Sequence, residues 1–222
     1  MIEVSELLDL SKTIAAELFD GKRYPWEVLG DISDFILNLG SSLPAEVYDN
    51  PSEGVWIARD ATVFPSAYIH GPCIVDKGAE IRHCAFIRGS AVIGKNSVVG
   101  NSTEVKNAVI FDGVQIPHYN YVGDSILGYK AHMGAGAITS NVKADKKAVV
   151  VKGSTESFDT GIKKFGAILG DNVEVGCNSV LNPGTVIGRG THIYPLSSVR
   201  GIVPAGCVYK SASEIAALIN EG

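Results

Sequence analysis

No stretch of this chain is apolar for long enough to span a bilayer. The first residues, MIEVSELLDL, are acidic and carry no secretory signature. Taken as a complete chain, it is expected in the cytoplasm, away from membranes. Positive charge is scarce: 19 Lys and Arg stand against 24 Asp and Glu, a net charge of -5, which argues against nucleic acid as the main partner. There are only four cysteines and no CxxC pair, which excludes a zinc ribbon or a disulfide scaffold. The 25 glycines follow no collagen period, and 45% apolar residues exclude a disordered chain, so the glycines imply many tight turns.

What is present is a period of six. Ile57, Val63, Ile69, Val75, Ile81, Ile87, Ile93, Val99 and Val105 return at that interval. Four positions after each stands a small or β-branched residue, Ala61 to Val109. Cys73 occupies one of these slots, and packing is its expected role. Neither a helix nor an ordinary strand gives this period. It predicts three short strands per coil, one aliphatic side chain inward from each, with coils stacked at about 4.8 Å. The expected fold is mainly β, a left-handed parallel β-helix of hexapeptide repeats over residues 51–210.

The phase slips by one near Ile110 and again at Leu127, then breaks after Asn141 and returns at Leu169. Residues 142–166 are therefore read as an excursion, with AVVVKG as an extra strand and a binding role, a trimer contact or solubility as its purpose. Residues 1–50 are read as a helical cap over the first coil, with one helix over 5–20 capped by Ser5 and another over 26–40 kinked near Gly30. A short helix from Ser213, within 211–222, is expected at the other end.

Arg88 follows inward Ile87 and Lys106 follows inward Val105, 18 residues or one coil apart. Both point outward from one face of adjacent coils. Like charges held this close need an anion or a carboxylate, and Glu80 or Glu104 is within sequence reach. His118 lies in the next coil, where Pro117 and the phase slip disturb the repeat.

Such coils resemble the left-handed β-helix of bacterial acyltransferases. YVGDSILGYKAHMGAGAITSN, residues 121–141, resembles the C-terminal acetyltransferase domain of the bifunctional N-acetylglucosamine-1-phosphate uridyltransferases. DTGIKKFGAILGDNVEVGCNSVLNPGTVIG, residues 159–188, is similar to the corresponding β-helix of archaeal sugar-1-phosphate nucleotidyltransferases. The resemblance covers residues 57–205. It implies His118 as the catalytic base, Arg88, Lys106, Tyr121, Asn141 and Lys147 around an amino-sugar phosphate, and His132, Ala135, Cys177 and Pro195 along acetyl-CoA. His132, Cys177 and Pro195 replace the family's asparagine, serine and alanine, and the family's basic C-terminal tail is missing.

The expected activity is CoA-dependent N-acetylation of a glucosamine-1-phosphate-like acceptor. His118 would take the proton of the attacking amine, a backbone amide within 134–136 would hold the oxyanion, and the assembly would be a homotrimer without metal. Three histidines around zinc, as in β-helical carbonic anhydrases, would need a pair five residues apart, and no such pair exists. Cys177 is open between a nucleophile and a small residue beside the thioester. The alternative function is a non-catalytic or regulatory β-helix that joins a separate sugar-1-phosphate nucleotidyltransferase related to UDP-N-acetylglucosamine pyrophosphorylases. No glycine-rich loop followed by arginine is present, so the chain is not expected to make a nucleotide sugar itself.

Overall fold

The computed structural model describes residues 2–211 and 213–217. The six-residue period builds a left-handed β-helix with three faces of parallel strands. Face 1 carries Glu80–Ile81, Val98–Asn101, Gln115–His118, His132–Met133, Glu174–Val175 and His192–Ile193. Face 2 carries Phe86–Ile87, the first halves of Glu104–Ile110 and Tyr121–Leu127, then Ile138–Thr139, Val180–Leu181 and Ser198–Val199. Face 3 carries Cys73–Val75, Ala91–Ile93, the second halves of those two long strands, then Ala167–Leu169, Thr185–Ile187 and Ile202–Val203. The inward aliphatics from Val75 to Val199 are sealed, and those of the first coil are partly open, with Val63 36% exposed.

The phase slips are short corners. Ile93 pairs with Ile110 and Ile110 with Leu127, so these coils take 17 residues instead of 18. The shortening falls between faces 2 and 3, where Asn107 and Asp124 turn the chain in the left-handed region. Both strands run through that corner without a break.

Face 3 has a second apolar layer. Before the inward residues there stand Ile74, Val92, Val109, Ile126, Ile168 and Val186, all fully buried, and in the last coil the partly buried Ile202. Each fully buried one contributes about 1.5–3 kcal/mol by burial. Their cover is the N-terminal segment, which lies along this face and not over the first coil. Helix Ile32–Ser42 packs on the strands of the early coils. Gly40 admits the Trp56 ring, which a Cβ would meet at 2.3 Å. Backbone bonds from Asp112 to Lys12 and from Asp171 to Leu7 tie the first residues to later coils. The first expected helix is instead broken into Val4–Leu7, Leu10–Lys12 and Ala16–Phe19, with Glu3 rather than Ser5 at the first N-cap. Asp9 and Thr13 accept the N–H groups of Ser11 and Ala15, so side chains replace the helical acceptors. The second is a 3-10 turn, Pro25–Val28, followed by the helix from Ile32, with the break at Gly30.

The excursion completes the cover. Val150–Lys152 and Ser157–Asp159 pair as a hairpin, with Val149 and Val151 buried. Phe158 stands 5.4 Å from Tyr24 and 6.3 Å from Trp26 between ring centroids, and Trp26 in turn lies 5.9 Å from Phe165. Both edges of the solenoid end in antiparallel pairs. Tyr48–Ser52 closes the first strand, Val55–Ala58. At the other end Glu214–Ala217 folds back on Cys207–Ser211. The expected C-terminal helix is thus a strand over this part, because an open strand edge offers backbone partners that four residues of isolated helix lack. Residues 218–222 lie outside the described residues. Among the described residues no helix is long and apolar enough to cross a membrane.

Candidate active site at a corner of the solenoid

The corner between faces 1 and 2 forms a column. Tyr119, Gly136, Asn178 and Leu196 each turn the chain in the left-handed region, one per coil. Their N–H groups donate to the carbonyls of Asn101, His118, Ala135 and Cys177. His118, Ala135, Cys177 and Pro195 therefore stand one above another, each immediately before its turning residue. Four residues named from the sequence share this edge.

Asn120, 3% exposed, stitches the column from inside. It occupies the slot that elsewhere holds a small residue. Its Oδ1 accepts the His118 N–H at 3.0 Å, and its Nδ2 donates to Gly134 O at 2.8 Å and Ala137 O at 3.0 Å. The side chain of His118 is left exposed at the edge. The N–H groups of Ala135 and Cys177 have no acceptor among the described residues. Beside them a groove of about 320 Å³ is lined by His132, Glu174, Cys177, His192, Tyr194 and Pro195. The partner of His132 is Glu174, whose Oε2 lies 2.7 Å from its Nδ1. Cys177 is exposed at the groove, whereas Cys73 is sealed, and burial pushes its thiol up to about 12.

Three residues past His118 the chain enters face 2, and a second cluster begins. The Tyr121 ring lies across Gly123, where a Cβ would meet its hydroxyl at 2.4 Å. The hydroxyl accepts from Asn141 Nδ2 at 3.1 Å. Burial, with the Asp124 carboxylate second, raises the Tyr121 phenol above its ordinary range, so it remains protonated. Arg88 and Lys106 are neighbours in register on this face, as their spacing requires. Both are compensated within the chain. Arg88 Nη1 pairs with Glu104 at 2.6 Å, and that hydrogen bond raises the guanidinium further. Glu80 pairs with Arg82 instead.

The residue that sequence reading passed over is Asp124. Its side chain is 5% exposed and gathers Lys106 Nζ at 3.1 Å, Asn107 Nδ2 at 3.0 Å and Asn141 Nδ2 at 2.5 Å. A signal existed: the short coil brings Lys106 into register with Gly123, so that Asp124, one residue further, falls beside it. Lys147 does not join the cluster. It is exposed on the outgoing arm of the excursion, with its N–H on Asp145. The arm residue beside Asn141 is Lys164, which bridges to Val142, while Phe165 donates to Asn141 O at 3.0 Å. Among the described residues no group of three or more His, Cys, Asp or Glu is placed to hold a metal ion. His70 and His83 are exposed in earlier coils; His83 stands two coils from His118 on the same corner, through Asn101, and packs on Phe64.

Comparison with known proteins agrees with this architecture. The model of the GMPPB C-terminal domain matches residues 69–189. A bifunctional protein GlmU of Methanococcus maripaludis strain C5 is 33% identical over 195 residues, covering 86% of this chain and 47% of the relative. A bifunctional sugar-1-phosphate nucleotidylyltransferase/acetyltransferase of Sulfurisphaera tokodaii is 34% identical over 190 residues, covering 84% of this chain and 47% of the relative. The chain thus spans about half the length of these relatives. The crystal structure of the polySia specific acetyltransferase NeuO shares the fold, with a TM-score of 0.50 at 16% identity, covering 78% of this chain and 81% of that one. The chain belongs to the GMPPB C-terminal domain family, a hexapeptide-repeat β-helix related to the acetyltransferase domains of GlmU and the sugar-1-phosphate nucleotidyltransferases.

Proposed function

We propose that this chain is a CoA-dependent N-acetyltransferase whose acceptor is an amino-sugar 1-phosphate of the glucosamine-1-phosphate kind. The observation that carries this reading is the corner at residues 118–121. There the exposed His118 edge, with its column of Ala135, Cys177 and Pro195, turns into the Tyr121, Lys106 and Asn141 cluster. A thioester along the first and an amino sugar on the second would meet at His118. Family membership supports the class of reaction.

In the proposed step the acceptor amine attacks the thioester carbonyl and a C–N bond forms. His118 takes the proton that the nitrogen loses. The free N–H groups of Ala135 and Cys177 are donors for the oxyanion that develops. The C–S bond then breaks, and the leaving thiolate recovers the proton from His118. His132 and Pro195 border the donor, and Cys177 serves through its backbone. Arg88 and Lys106 engage the acceptor phosphate only by loosening from Glu104 and Asp124, a geometry suited to an acceptor carrying both charge signs. Lys147 would contribute through a neighbouring copy in a homotrimer, since it is remote from the cluster in its own chain. Face 3 is covered, so the two faces that meet at His118 are the ones free for such packing.

The test is thiol release from acetyl-CoA with glucosamine 1-phosphate, with product mass measured. His118→Ala should abolish release while the protein stays folded. Full turnover by that variant sinks the general-base role. The second reading is a regulatory β-helix that joins a separate nucleotidyltransferase. The neutralised state of Arg88 and Lys106 favours it, and absence of release with every amino-sugar phosphate tried would select it.

A further inference from the structure

A second groove lies away from the His118 column. It opens where the excursion leaves the corner between faces 2 and 3, has a volume of about 590 Å³, and is lined by Ser140, Lys143, Asp145, Lys152, Asn182 and Arg200 among others. Its base belongs to one row of the solenoid: Ser140, Asn182 and Arg200 take the same place on face 2 in successive coils. Its far wall is the hairpin of the excursion. The wall is held close because Gly201 has no side chain; a Cβ there would meet Lys152 O at 2.3 Å.

Charge in this groove is unbalanced. Three cations, Lys143, Lys152 and Arg200, face a single carboxylate, Asp145. Lys143 spends its ammonium on Asp145 at 3.2 Å and on Ala148 O at 3.3 Å. Neither Lys152 nor Arg200 has a side-chain hydrogen bond or ion pair among the described residues. The contrast with Arg88 and Lys106 is direct, since each of those already holds a carboxylate. In a chain of net charge -5, two unpaired cations converging on a concave site form a local positive field. Asn182 fixes its amide on Ser198 Oγ and Val199 O, which leaves its carbonyl oxygen as an acceptor on the same wall.

We propose that this groove is a binding site for a diphosphate-bearing ligand, separate from the His118 column and independent of whether acetyl transfer occurs. Arg200 grips phosphate oxygens in bidentate fashion, Lys152 supplies a point charge from the opposite wall, and Asn182 and Ser140 offer polar contacts to the attached group. The volume falls within the roughly 300–1,000 Å³ usual for small-molecule sites and exceeds what a lone phosphate fills. Two classes of molecule carry such a diphosphate, a nucleoside diphosphate or its sugar conjugate and coenzyme A.

Isothermal titration of the full chain with inorganic phosphate, pyrophosphate, uridine diphosphate and coenzyme A tests this. Pyrophosphate should bind more tightly than phosphate and more weakly as salt rises. One of the two larger probes should bind tighter still, which identifies the source. Arg200→Ala and Lys152→Ala should each weaken binding by about tenfold or more. Lys95→Ala, on a distant exposed lysine, should change nothing. The proposal is overturned if no probe binds, if phosphate binds as well as pyrophosphate, or if Arg200→Ala and Lys152→Ala bind like the parent. It is equally overturned if only Arg88→Ala and Lys106→Ala weaken binding, for the anion then sits at the acceptor cluster. Thiol release measured on the same preparations separates the two ideas. Release that persists while Arg200→Ala and Lys152→Ala leave all probe binding unchanged removes this site and leaves the proposed function standing.

Discussion

Asp124 shows how one side chain can set the geometry of several others. A carboxylate this buried costs several kcal/mol in lost hydration unless donors surround it. Here three side-chain donors do so, from Lys106, Asn107 and Asn141. Asp124→Asn preserves shape and removes the charge. It should cost about 1–3 kcal/mol in a denaturant melt, because Lys106 loses its ion pair with Asp124. If the proposed acceptor cluster is correct, it should also raise KM for the amino-sugar phosphate more than it lowers kcat; an unchanged KM would separate Asp124 from the site. Gly123→Ala is a milder probe of the same place. Its Cβ collides with the tip of Tyr121 and not with backbone, so the ring is displaced while the fold is kept. Acceptor KM should rise with little change in melting temperature. Cys73 offers a test at the same scale with a worked sign. Its folded thiol titrates near 12 against an ordinary value of 9.0, so the raised group favours folding fully below pH 9 and less as pH climbs from 9 toward 12. Melting temperatures of the parent should therefore fall more steeply across pH 8–10.5 than those of Cys73→Ala; parallel slopes would refute the assignment.

At the scale of elements, the solenoid and its cover were unequally legible. The inward aliphatics repeat without regard to context, so Ile57 through Val199 could be placed from their spacing. The slips at Ile110 and Leu127 were visible too, and became 17-residue coils. The apolar layer on face 3 was equally present in the letters, as the residue before each third inward position; face 2 mixes Phe86, Tyr121, Ile138 and Val180 with Glu104 and Ser198, and face 1 is mostly polar there. Glu80, Gln115, His132, Glu174 and His192 stand there on face 1. That difference between faces announces a covered side. The helix over 5–20 was misplaced because apolar spacing ignores Asp9 and Thr13, whose side chains compete for backbone N–H groups. The site split in the same way. His118, Ala135, Cys177 and Pro195 align because the repeat forces them to, whereas Lys147 depends on the path of a hairpin that the repeat does not govern. That hairpin is held by aromatic packing, so Trp26→Ala should loosen it together with the N-terminal segment. A loss of about 3–5 kcal/mol is expected for a side chain 4% exposed, with faster proteolysis within 142–166 as the specific sign. A destabilised protein whose hairpin stays protected would show that the two covers are independent.

For the molecule as a whole, the cover on face 3 determines what can pack against what. An extended solenoid gains stability coil by coil, and its free sides remain available for other copies. With face 3 buried under the N-terminal segment and the hairpin, the proposed trimer would meet through faces 1 and 2 and the corner between them. That corner ends in exposed apolar side chains: Leu196 is 79% exposed, Tyr119 67% and Tyr194 48%. All three lie at or beside the column of His118, so the proposed trimer would bury them next to the reacting groups. Leu196→Arg should therefore release single chains that melt close to the parent temperature, read by light scattering, and should abolish acetyl transfer even though His118 is untouched. Ile126→Arg on the covered face should do the opposite kind of damage, unfolding the chain before assembly is in question, because a charge is forced beneath the cover. If Leu196→Arg remains assembled and active, the subunits do not meet at this corner, and the site must be complete within one chain.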